Sequence, residues 1–82
     1  MQGLMMDSEQ KDKYDYVRAV LTVMLREATG NQHYRADYYI MPNGKEMIEI
    51  SFENEYSISK IDVTGCRKLE LTLLVIKAIK EG

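Results

Sequence analysis

Eighty-two residues at 9.5 kDa make one domain, and a chain of that size buries about 63% of the surface it exposes when unfolded. Hydrophobic residues at 45%, charged residues at 29%, five glycines and one proline exclude a collagen-like or disordered segment. Eleven Lys and Arg against thirteen Asp and Glu give a net charge of −2, whereas non-specific phosphate binding draws on a basic excess; one His and one Cys leave no parts for a disulfide framework or a multi-ligand metal cluster.

Residues 1 to 8 precede any periodic pattern and read as a flexible N-terminal tail, followed by a single domain over 9–82. The tail lacks the basic flank and apolar run of a signal peptide, and no later stretch reaches the roughly 18 apolar residues of a membrane span. With a lone cysteine and no oxidising context, the expected setting is the cytoplasm, without membrane contact.

Tyr14, Val17, Leu21, Met24, Leu25 and Ala28 recur at helical spacing and define one apolar face. Ser8 is the expected N-cap and Gly30 the expected left-handed C-cap, so the first helix covers about 9–29. After Gly30 the period becomes two: Tyr34, Ala36, Tyr38 and Ile40 alternate with polar neighbours, as in a half-buried strand. In the next strand Ile48, Ile50 and Phe52 form the apolar set. A two-residue Asn43-Gly44 loop would set Tyr38 opposite Glu49, whereas a three-residue Pro42-Asn43-Gly44 loop with Gly44 in the left-handed region pairs Tyr38 with Ile48, Ala36 with Ile50 and Tyr34 with Phe52. The second register is expected.

A turn at Glu53-Asn54-Glu55 leads into a third strand, Tyr56 to Val63, whose alternation slips near Ser59-Lys60. One bulge there restores a common face. Leu71, Leu74, Val75, Ala78 and Ile79 then recur at helical spacing within Cys66 to Lys80, with Thr64 as the N-cap region. The expected fold is α+β: two layers in the order α-β-β-β-α, a three-stranded antiparallel meander sheet with both helices on one face.

That arrangement leaves two surfaces for function. The open sheet face carries Arg35, Asp37, Tyr39 and Met41 beside Met47 and Glu49. Both helices also hold more apolar residues than one sheet contact uses: Tyr16, Val20 and Val23 on the first, Leu69, Leu73 and Ile76 on the second. A symmetric dimer is the common way to close such a surface. Cys66, beside Arg67 and Lys68 at the start of a helix, has the surroundings that lower a thiol pKa, but a small buried hydrophobe with no second cysteine to resolve an oxidised state is the stronger reading. His33 is the only histidine to pair with it, and no third group to orient that histidine is evident. The expected register sets Asp37 beside Glu49 across the hairpin, where a solvated face with Arg35 explains them without a metal.

The α-β-β-β-α order over about 9–81 resembles the topology of double-stranded-RNA-binding domains. The resemblance implies an RNA surface made by the first helix, the first hairpin loop and a basic start of the second helix. Lys45, Arg67 and Lys68 are the matching cations. The loop Pro42-Asn43-Gly44-Lys45 lacks that family's Gly-Pro and His signature, and Glu70 follows the two cations of the helix start. The stretch from Leu25 to Gly44 is similar to small uncharacterised proteins of Firmicutes phages and conjugative elements, which implies a mobile-element source and names no function. The expectation is a non-enzymatic accessory or regulatory module without cofactor, acting through contacts with its own copy or another protein, with RNA binding through the three cations as the alternative.

Overall fold

The computed structural model describes residues 6–53 and 56–81. Helix α1 runs unbroken through an α-helical Ser8–Tyr16, a π-helical turn Val17–Leu21 and an α-helical Thr22–Thr29. Strands β1 (Tyr34–Ile40), β2 (Glu46–Phe52) and β3 (Tyr56–Asp62) follow, then helix α2 (Lys68–Glu81). The sheet is antiparallel in the order β1-β2-β3. The chain is thus the expected small α+β domain.

Residues 1–5 of the expected tail lie outside the described residues, but the rest of that segment is ordered. Met6 packs on the core and Ser8 is already helical. The N-cap is Asp7 rather than Ser8: its carboxylate accepts the Gln10 N–H at 2.8 Å, and the Gln10 side chain accepts the Asp7 N–H at 3.1 Å. Only Asp7 has a Gln three residues on, so only Asp7 can close this reciprocal box. Gly30 ends the helix at φ 71°, a conformation that a side chain at Cβ would strain.

In the π-turn, the Thr22 N–H reaches back five residues to the Val17 carbonyl. The turn holds about one residue more than an α-turn would, so every later side chain falls about 100° behind regular helical phase. Lys13 and Val17 face inward up to it, and Leu21, Thr22 and Leu25 from its end onward. This overturns the expected helix face at its C-terminal end: Ala28 is exposed and Met24 only half-buried.

The displaced phase sets Thr22 against the outer edge of β1. Its hydroxyl accepts the Ala36 N–H at 3.1 Å and lies 3.1 Å from the Ala36 carbonyl. One turn on, the Arg26 Nε donates to the Tyr34 carbonyl at 2.8 Å. Backbone groups that an edge strand would show to another chain are satisfied by two helix side chains.

The hairpin has the expected register, Tyr34 with Phe52, Ala36 with Ile50 and Tyr38 with Ile48. Gly44 donates to the Met41 carbonyl and stands at φ 89°, which fits a type I turn closed by a left-handed residue. The second turn falls partly on residues 54 and 55, outside the described residues. The bulge in β3 comes one residue before the expected place: Ser59 pairs with Ile50 and Ser57 with Ser51, so Ile58 has no opposite number. Tyr56 and Ile58 both remain exposed, so the slip ends the buried face instead of extending it.

Helix α2 starts at Lys68, and its cap is Arg67, whose N–H donates to the Glu70 carboxylate at 2.9 Å. Thr64, the expected cap, serves the sheet: its hydroxyl accepts the Glu46 N–H and donates to Asp62. The two helices lie side by side in parallel, because Lys68 meets Asp12 at 2.5 Å and Thr72, one turn on, meets the Tyr16 hydroxyl at 2.7 Å. Between helices and sheet the core comprises Val17, Leu21 and Leu25, the strand residues Ala36, Tyr38, Ile48, Ile50 and Val63, and Leu71 and Val75 of α2. Among the described residues no helix is long and apolar enough to cross a membrane.

Candidate functional site

Five apolar side chains stand on the outer side of the helix layer. Val20 and Val23 of α1 are 47% and 51% exposed, and Leu69, Leu73 and Ile76 of α2 are 70%, 57% and 36% exposed. Their exposure follows from phase. Leu71 and Val75 point α2 at the sheet, so residues about half a turn away, at 69, 73 and 76, face outward. Val20 is one turn beyond Tyr16 as Ile76 is one turn beyond Thr72, which places both on the same level of the paired helices. Tyr16 itself is corrected: it is half-buried, its hydroxyl holds Thr72, and the Lys68 ammonium sits 5.6 Å from its ring centroid. It joins the helices to each other and is not part of the outer face.

Leu69, Leu73 and Ile76 are spaced four and three apart, the spacing of a coiled-coil seam. Glu70 and Lys77 are seven apart and therefore share one flank of that seam. When two such helices pair antiparallel about a two-fold axis, each flank meets the same flank of the partner. Glu70 then stands toward Lys77 twice over.

On the open sheet face Tyr39 pairs with Met47, and Asp37 with Glu49, which faces Lys60 on its other side. Arg35 Nε lies 3.0 Å from the Asp37 carboxylate. Met41 lies past the end of β1, its N–H bonded to the Lys45 carbonyl in the turn. Arg35, Tyr39, Met41, Met47 and Glu49 are all half-buried. The adjoining carboxylates are thus balanced by Arg35 and Lys60, and no group of three metal-ligating side chains occurs among the described residues.

Two of the three cations of the RNA alternative sit on acids. Lys68 is bound by Asp12, and Lys45 lies 4.0 Å from Asp62. Arg67 shares a cleft with Glu9, Asp12, Lys13 and Lys68, so its neighbourhood is of mixed sign. Cys66 precedes the helix and packs partly into the core. Burial first, then the Glu70 charge, push its thiol up, with Lys13 opposing, the reverse of the activation that a helix start with two cations suggests. His33 lies at the opposite end of the sheet, next to the Tyr34–Phe52 pair and edge-on to Phe52, whereas the Cys66 N–H bonds Val63 beside Glu46. A seven-residue strand separates the two ends by roughly 20 Å, too far for direct proton transfer.

One polar centre is absent from the sequence expectations. Glu46 is buried, and its carboxylate takes the Lys13 ammonium at 2.8 Å, the Tyr38 hydroxyl, and the Gly65 N–H at 2.9 Å. Burial alone would raise the Glu46 carboxyl, but these three donors outweigh it and hold the group below its ordinary value. Burial, then the bond to Glu46, push the Tyr38 phenol up. Both carboxylate oxygens are engaged, and the centre serves to tie α1, the hairpin and the turn before α2 together. Its signal was present in the sequence: Lys13 lies four residues before Val17, and Glu46 is in the inward phase of Ile48 and Ile50.

No family model, curated protein or solved structure matches the chain. The functional reading therefore rests on this geometry.

Proposed function

We propose that this chain is a non-enzymatic protein-contact module that pairs with a second copy of itself through the outer face of its two helices. The observation that carries the reading is the seam of Leu69, Leu73 and Ile76, each exposed, with charges of opposite sign on one flank. Burial of apolar side chains supplies the attraction, and the Glu70–Lys77 arrangement makes the surface complementary to itself in one orientation. Val20 and Val23 continue the patch onto α1.

The test is light scattering after size-exclusion chromatography over a range of concentrations. The native chain is expected to have twice its chain mass at the upper end. Leu73→Asp places an acid at the centre of the contact and is expected to weaken association roughly tenfold or more, as loss of a central anchor does. Lys77→Glu alone sets acid against acid; adding Glu70→Lys should recover association. A native chain that remains monomeric throughout, or a pair of swaps with no recovery, rejects the dimer or its orientation respectively.

A further inference from the structure

We propose that the groove between the outer edge of β3 and helix α2 binds a short extended segment of another protein, which adds to the three-stranded sheet as a further strand. The groove encloses about 490 Å³ and is bounded by Ser59 to Asp62 on one side and by Leu74 and Ala78 on the other. It lies on the side of α2 away from α1, and the proposal does not rest on the helix-face dimer.

The two edges of the sheet differ. On β1 the Thr22 hydroxyl and the Arg26 Nε occupy outward backbone groups. On β3 the Val63 N–H donates to the Glu46 carbonyl, and Ile61 stands opposite Ile48. Alternate residues of an antiparallel strand turn their backbone groups to opposite sides, so Lys60 and Asp62 direct both N–H and C=O into the groove. Among the described residues nothing bonds these four groups. An extended backbone running alongside can take all four at once, which is how peptides add to a sheet edge. The bulge at Ile58 ends the regular edge, so the segment that fits is about five residues long.

The side chains set its chemistry. Ser59 and Ile61 share the inward face of Ile50 and Ile48, and with the half-buried Leu74 and Ala78 they make a largely apolar floor. Ile58, 49% exposed, continues it past the bulge. Alternate residues of the added strand are therefore apolar. Lys60 and Asp62 stand on the other face. Asp62 already accepts the Thr64 N–H and hydroxyl and has Lys45 at 4.0 Å, whereas Lys60 is exposed with Glu49 on one side only. An acid beside Lys60 is thus the matching residue. A second copy of this chain does not fit. Its β3 would arrive about 4.8 Å away with its own α2 on the same face, and packed helices stand about 8–10 Å apart. The occupant is a loop or terminus with no helix over it.

The experiment is a nuclear magnetic resonance titration of the ¹⁵N-labelled full chain with the acetylated and amidated peptide Thr-Val-Thr-Val-Glu-Val-Thr. Run antiparallel to β3, it sets its valines on the apolar floor and its glutamate beside Lys60. Saturable shifts are expected at the amides of Lys60, Ile61, Asp62 and Ala78, with hydrogen exchange slowed at Lys60 and Asp62. The same peptide N-methylated at its glutamate and central threonine keeps every side chain but cannot donate to β3, and should bind roughly tenfold or more weakly, the loss expected of two hydrogen bonds. Lys60→Glu changes an exposed side chain and should reverse the preference, favouring a peptide with lysine in place of the glutamate. Equal affinity for the N-methylated peptide, shifts without saturation or centred away from β3, or an unchanged preference in Lys60→Glu overturns the proposal. So do contacts between the β3 strands of two copies in the free chain, which would give the edge to self-pairing.

Discussion

Glu46 shows how much one side chain can decide. A domain of this length is stabilised by roughly 4–12 kcal/mol in all, and removing one partner from a buried ion pair costs about 3–5 kcal/mol. Lys13→Met keeps the buried stem but strands the carboxylate, and is expected to lose that much in urea unfolding. Adding Glu46→Gln removes the stranded charge, so the double variant should lose less than the two single losses combined. The sign of the pH dependence follows from the direction of each shift. Glu46 is held below its ordinary 4.5, so its contribution is present above that pH and fades as pH falls through the folded value. Tyr38 is held above its ordinary 10.0, so its contribution is complete below pH 10 and fades as pH rises through the folded value. Melting temperatures recorded from pH 3 to 11 should fall at both limits. In Lys13→Met the acid limb should move to higher pH, and an unmoved limb would contradict the assignment of Lys13 as the chief partner. The sequence hid this centre because lysine and glutamate are rarely buried, and periodicity scored by apolar residues alone passes over a charged residue in the inward phase. Asp37 and Glu49, by contrast, were placed side by side by the hairpin register alone.

Among the elements, the hairpin was the most legible because two constraints agreed: the inward phase of Ile48, Ile50 and Phe52, and a turn sequence with Pro, Asn and Gly in order. Helix α2 was legible from length and spacing. The π-turn was not, because no residue between Val17 and Leu21 breaks a helix; the extra residue is accommodated through contact with β1. Thr22 provides the test. Thr22→Val keeps the shape and removes the hydroxyl that serves Ala36, leaving polar edge groups buried without a partner, at a cost of about 1–3 kcal/mol. Hydrogen exchange at the Ala36 amide is expected to accelerate by more than the global loss of stability explains. Equal acceleration at every core amide would show that the hydroxyl contributes to stability only through the fold as a whole. The bulge at Ile58 was foreseen one residue late, since two adjacent polar residues, Ser59 and Lys60, mark a slip but do not fix its centre.

At the scale of the molecule, the apolar excess on the helices was readable as a quantity but not as a map. Counting assigned Tyr16 to the outer face together with Val20, Val23, Leu69, Leu73 and Ile76. The parallel packing of the helices, set by Lys68 on Asp12 and Tyr16 on Thr72, turned Tyr16 inward and left the other five exposed. The hold of Arg26 on β1 was invisible for a related reason: only the rotation of α1 after its π-turn aims its guanidinium at the Tyr34 carbonyl.

A helix that carries one residue more than its rise requires also has a place from which one can be lost. Deleting Val23, Met24 or Leu25 instead rotates everything beyond it by about 100° and turns Arg26 away from the Tyr34 carbonyl. Deleting one within Arg18 to Val20 restores ordinary winding while both halves keep their faces to the sheet, so a single-codon deletion there is expected to yield a folded chain. Among sequences related to this one, that turn is where helix length is expected to vary without turning either half off the sheet.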